Sequence, residues 1–176
     1  FLLRSLQKFG VKKSEVEIVH LQHPDGRAAL EQGRVDAWAG LDPHLAGSQL
    51  QAGSRLIYRN VAFNTYGFLN VSESFAKQYP QYVRVVIKAY ERARKWVVEH
   101  PEEAVKIQAE EAKIPLDVAR LQLVERNDFS KPRIGKEQID ALREAAPILV
   151  EEELVRPGTD LNKVIADLID PSFGQA

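Results

Sequence analysis

The chain of 176 residues contains no cysteine and no methionine. The missing cysteine excludes a disulfide framework, a thiolate nucleophile and a cysteine-based zinc site within this sequence. It suits an oxidising compartment without establishing one. No apolar run reaches the length needed to span a bilayer. No glycine-rich phosphate loop is present, no serine sits in a nucleophile-elbow context, and nothing composes a catalytic triad. No internal repeat and no low-complexity tract interrupts the chain. Charge of one sign is also lacking: 24 Lys and Arg against 25 Asp and Glu leave a formal charge of −1. That balance argues against nucleic acid as the main partner. What is there is ordinary for a globular protein, with 44% hydrophobic and 28% charged residues. The length fits one domain, or one domain and part of another.

Phe1 to Gly10 already has helical spacing. Leu2, Leu6 and Phe9 share a face, and Gly10 is the stop. The stretch itself has no charged n-region and no signal-peptide cleavage pattern. The expectation is a fragment beginning inside a helix. The next fifty residues alternate between strand and helix signals. Ser14 precedes the run 16–21, in which Val16, Ile18 and His20 face one way, as in a strand. Asp25-Gly26 is expected to open a helix from Arg27 to Gln32, with Gly33 in the left-handed position beyond it. Val35 to Ala39 is a short apolar run of strand length. Asp42 is expected to cap a helix whose first residue is Pro43 and which ends near Gln51, before Gly53. Arg55 to Tyr58 is the next strand. This rhythm with short connections predicts a largely parallel sheet covered by helices.

A hinge crossing is expected around 60–66, leading to an apolar strand over 67–71. Beyond it the chain reads as helical. Ser72 caps a helix over 73–79. Pro80 starts a long helix with Val83, Val86, Ile87, Tyr90 and Val97 on one stripe. Pro101 and Pro115 start two more, because proline is tolerated in a first turn but not in an interior. Gly135 precedes a helix from Lys136, which Pro147 should kink or weaken. Asp160 caps the last helix, 161–169.

The run 33–46 is the most informative stretch. A strand whose carboxyl end feeds a helix N-terminus is where open α/β sheets place ligands, and such a helix end favours anions. Trp38 either packs as a core aromatic or walls a pocket there. Gly40 permits close backbone approach. Asp42 reads first as a helix cap and second as a ligand contact. His44 either reaches the cleft or is solvated. His20, His23 and Asp25 could suggest a metal, but strand and loop positions do not converge as an H-x-x-x-H pair on a helix would. The better reading of His23 to Gly26 is a strand-to-helix loop, with Asp25 as cap and the Gly26 backbone close to a ligand. The acidic run 151–153 reads as a solvated helix face. Arg84, Lys88, Arg92, Arg94 and Lys95, interspersed with Glu91 and Glu99, read as the outer face of the long helix.

Gly33-Arg34-Val35-Asp36-Ala37-Trp38-Ala39-Gly40-Leu41-Asp42-Pro43 resembles the G-x-[VI]-D-A-W-A-x-x-D-P segment of periplasmic solute-binding proteins of the sulfonate/nitrate/taurine class. These are the extracytoplasmic receptors of ABC importers. The resemblance continues through Asn64-Thr65-Tyr66-Gly67-Phe68-Leu69, and again from Tyr82 to Glu103, so that it covers most of the chain. One departure is Leu41, where sulfonate receptors often carry a second Trp.

The resemblance implies an α/β type II periplasmic-binding-protein fold of two lobes joined by a hinge. The N-terminal lobe strands and the first strand of the second lobe would be missing from this chain. Residues 1–62 would form most of the second lobe. Residues 63–176 would form the hinge return and the C-terminal helical part of the first lobe. The implied ligand is a small anion, an aliphatic sulfonate first and nitrate or taurine after it. Trp38, Gly40, Asp42, Gly26 and Asn64 would contact it. No catalytic residue, cofactor or metal is implied. The implied partner is an ABC permease, and the complete receptor would be a monomer. It would work in the periplasm or outside the cell, with a possible membrane anchor ahead of Phe1. Two rivals from other classes are weighed against this. A thiamine-pyrimidine-synthesis enzyme of related fold should carry a cofactor-binding Lys, a His cluster and a Cys-rich motif, and this sequence has no Cys. The effector-sensing domain of a LysR-type regulator would be more compact than the helical stretch 80–169.

Overall fold

A computed structural model describes residues 1–63 and 66–174. Among these residues the regular structure is helical. The helices are α1 (Leu2–Lys8), α2 (His23–Glu31), α3 (His44–Gln51), α4 (Glu73–Gln78), α5 (Pro80–Glu99), α6 (Pro101–Ala112), α7 (Leu116–Arg120), α8 (Lys136–Glu151) and α9 (Leu161–Leu168). A widened, π-type turn over Leu121–Arg126 extends α7.

Most helix boundaries follow the punctuation in the sequence. Gly10, Gly33 and Gly53 all take φ near +68°, where a side chain would be strained. Ser72 Oγ accepts from the Phe75 N–H at the start of α4. Asp160 Oδ1 accepts from the Lys163 N–H at the start of α9. The prolines begin α5 and α6, where their missing N–H groups cost nothing. Gln138 in the first turn of α8 accepts from the Gly135 N–H at 2.9 Å. Pro147 does not end α8, which runs on to Glu151. Its missing N–H leaves only one intrahelical bond unmade, near the helix end.

Three expectations are corrected. First, the strands expected over 16–21, 35–39, 55–58 and 67–71 do not form: among the described residues there is no β-strand. Backbone extension is local, and Val16 has it, with φ −131° and ψ 145°. A strand, however, exists only as one side of a ladder, and no ladder joins these segments. Several of their apolar side chains face solvent instead, with Ile57 71% and Leu69 53% exposed. The α/β sheet is therefore not seen in this chain. Second, α2 starts at His23, not Arg27, with Pro24 in its first turn and Asp25 and Gly26 inside it. Third, α3 starts at His44, with Pro43 in the cap position.

The chain forms two units. One comprises Phe1–Arg59 with Val97–Asp128, the other Asn60–Trp96 with Phe129–Ala176. In the first unit the buried side chains are small: Ala29, Ala46, Ser48, Ala104, Val105, Val118 and Ala119. In the second, Val83, Ala146, Ile165 and Gln138 are buried.

Candidate functional site

The candidate site lies within the first unit and begins with the packing of α2 on α3. Gly47 makes that contact possible. A Cβ there would come within 2.4 Å of Arg27 Nη1. The open surface lets Arg27 lie against α3, where Nε donates to Glu31 at 2.6 Å and Nη2 to Gln51 at 2.9 Å. The Arg27 hydrogen bond holds the Glu31 carboxyl below its usual range. Ser48, fully buried, shares a 2.7 Å hydrogen bond with Ser54 and so ties the segment after α3 back to it.

Residues 34–41 run between these helices and carry Trp38. The indole is fitted between two glycines. A Cβ on Gly26 would meet Trp38 Nε1 at 2.4 Å, and one on Gly40 would meet Cζ3 at 2.6 Å. Any side chain at either position must displace the ring, because heavy atoms do not approach so closely. The pyrrole edge thus faces α2 and the benzo edge faces the loop. His23, the first residue of α2, meets the indole at 6.4 Å between centroids and 63° between planes, an edge-on contact.

These groups border a cavity of about 170 Å³. Val19, Leu21, Val35, Ala37 and Ala39 provide its apolar lining, His20 and His23 its imidazoles, and Gly26 and Trp38 the rest. A site of this size admits a small ligand with a polar end and a short apolar part. The first turn of α2 presents backbone N–H groups beside it, with Asp25 in the same turn. Among the described residues no group of acidic, histidine or cysteine side chains is arranged to hold a metal ion.

Trp38, Gly26 and Gly40 are therefore brought together. Asp42 is not among the cavity's lining residues. Its Oδ1 accepts from the Ala46 N–H at 2.9 Å, bracing the first turn of α3. The same oxygen accepts from Arg126 Nη1 at 2.9 Å. Asn64 lies outside the described residues. His20 and His23, read from the sequence as strand and loop residues and not as ligand contacts, line the cavity. Arg126 carried no signal, because it is 84 residues from its partner.

The sequence profile of the family described as NMT1/THI5 like matches residues 1–104, which include every residue lining the cavity. The chain belongs to the NMT1/THI5-like family. The family has a periplasmic-binding-protein fold, and the match supports the resemblance to sulfonate/nitrate/taurine receptors. Two curated relatives agree. A protein of Escherichia coli (strain K12), named for binding aliphatic sulfonates, is 26% identical over 93% of this chain. A protein of Bacillus subtilis (strain 168), likewise named, is 30% identical over 51% of it. The chain spans 52% of the length of the first relative, and the second match covers 28% of that protein. No solved structure matches the chain significantly. Against this NMT1/THI5-like background, the Trp38 cavity lies in the matched part of the chain, whereas Arg126 lies beyond it.

Proposed function

We propose that this chain is part of an extracytoplasmic solute receptor of an ABC importer, and that its ligand is a small anion, an aliphatic sulfonate first. The observation that carries the reading is the Trp38 cavity. It is an open depression where apolar side chains, two imidazoles and a helix N-terminus meet. A sulfonate group has only acceptor oxygens. The His20 and His23 ring N–H groups and the first-turn N–H groups of α2 would donate to it. Trp38 would cover the alkyl part. Nitrate lacks that part, and taurine would add an amine.

In this reading residues 1–62 contribute most of one lobe and 63–176 the hinge return and helical part of the other. Gly26 and Gly40 approach the ligand. The membrane permease is the partner, and the receptor works in the periplasm or outside the cell as a monomer. Among the described residues no helix is long and apolar enough to cross a membrane. The relatives are named as binding proteins, which supports a receptor over an enzyme.

Calorimetric titration of the full-length protein with ethanesulfonate, taurine and nitrate tests the proposal. Saturable binding is expected, tightest for ethanesulfonate, and Trp38→Ala should weaken it by roughly tenfold or more, the scale of one buried aromatic contact. No binding of any of the three anions would overturn it. Unchanged affinity with a large fall in melting temperature would return Trp38 to a packing role.

A further inference from the structure

The loop carrying Trp38 has no helix or strand of its own from Trp38 to Leu41. Something else must hold the indole between Gly26 and Gly40. Among the described residues, Asp42 at the end of that loop pairs with Arg126, and both side chains are largely buried, 17% and 8% exposed. The guanidinium is used at both arms. Nη1 donates to Asp42 Oδ1, and Nη2 donates to Gln49 Oε1 on α3. The Arg126 carbonyl in turn accepts from Arg59 Nη2 at 3.3 Å.

The backbone that delivers Arg126 is irregular. After α7 the chain widens over Leu121–Arg126, and the Asn127 N–H reaches back five residues to the Gln122 carbonyl at 3.1 Å. A widened turn changes the direction in which the following side chains leave the helix, and such turns recur at functional sites. It is braced by Gln108 Nε2 donating to Gln122 Oε1 at 2.8 Å. A buried ion pair adds little stability over apolar packing of equal volume. What a forked guanidinium adds is a fixed distance and direction between the segments it joins.

We propose that Arg126 is a positioning residue for the Trp38 pocket: by clamping Asp42 to α3 it fixes the end of the loop and thereby the indole that covers the ligand. The effect on ligand affinity rests on the receptor reading above, whereas the effect on Trp38 does not. Arg126 itself lies outside the cavity lining.

The test uses full-length protein in which Trp38 is the sole tryptophan, Trp96 and any others being replaced by Phe. Two quantities are read: acrylamide quenching of Trp38, and calorimetric binding of ethanesulfonate. Arg126→Lys keeps the charge but cannot span both Asp42 and Gln49. It should increase quenching and weaken ethanesulfonate binding roughly tenfold, the scale of one charge-assisted hydrogen bond. Asp42→Asn is the second variant. It keeps the acceptor for Ala46, loses the ion pair, and should increase quenching in the same way. Val105→Ala destabilises the same unit at a site away from the loop and should leave quenching unchanged.

Unchanged quenching in both loop variants overturns the proposal. So does an equal rise in Val105→Ala, which would mark a general loosening. If the unsubstituted protein fails to bind ethanesulfonate, the receptor reading falls, and the quenching comparison still decides the clamp.

Discussion

The two units of the chain bury different things. The unit of residues 1–59 and 97–128 brings together small side chains, a largely buried ion pair and the open Trp38 pocket. The unit of residues 60–96 and 129–176 buries fewer side chains, while both units expose large apolar ones, Tyr90 at 62% here and Ile57 at 71% in the first. Buried side chains are more numerous in the first unit, which also holds the buried ion pair. Equal chemical changes should thus have unequal effects in the two.

The largest expected contrast is between two valines. Val105 is fully buried and Val85 is 62% exposed. Val105→Ala should cost about 2 kcal/mol, since it removes two buried methyl groups and leaves a void. Val85→Ala should stay within about 0.5 kcal/mol, as surface changes do. Chemical denaturation of both variants measures the difference. Similar losses would mean that Val85 is covered in solution and would remove the contrast.

Two glycines sharpen it further. Gly26→Ala would drive a methyl group into the indole, whereas nothing lies within 4 Å of a Cβ on Gly67. Overpacking at Gly26 should cost about 1–3 kcal/mol and shift the Trp38 emission. Gly67→Ala should be neutral or slightly stabilising, because it restricts the unfolded chain. Thermal melts followed by Trp38 fluorescence report both. An unshifted emission in Gly26→Ala would break the assignment of Gly26 as one side of the cradle.

The smallest expected effect lies on the surface of the second unit. Arg94 grips Glu91 with two N–H groups, at 2.7 and 2.9 Å, and donates a third to the Phe129 carbonyl. The Arg94 hydrogen bonds pull the Glu91 carboxyl from its ordinary 4.5 to about 2. A carboxylate depressed in the folded state stabilises above its unfolded value and loses that contribution as pH falls toward the folded one. The melting temperature of the parent should exceed that of Glu91→Gln above pH 5. The gap should close between about pH 5 and pH 2. It should be small, because solvent screens the pair. A gap that does not vary with pH would assign the effect to packing.

The same contrast governs how much could be read without the structure. Ser72, Pro80, Pro101, Gly135 and Asp160 announce their helices because a helix satisfies its own backbone and its ends need specific side chains. The alternating runs at 16–21 and 55–58 announce only extended chain, because a ladder needs a second strand that local sequence does not supply. At the site, the importance of the run 33–43 was legible from its glycines, Trp38 and Asp42. Arg126 was not legible, since its meaning depends on a partner 84 residues away.

The sequence by itself thus determined most helix starts and stops, the absence of cysteine chemistry and the family resemblance, all of which rest on neighbouring residues or on local runs. Only the tertiary structure decided that Gly26 and Gly40 make room for one indole, that His20 and His23 line its cavity, and that the Asp42 carboxylate is paired with Arg126. Each of these is a contact between segments distant along the chain. Such contacts arise from the packing of whole helices and loops, which no short stretch of residues encodes.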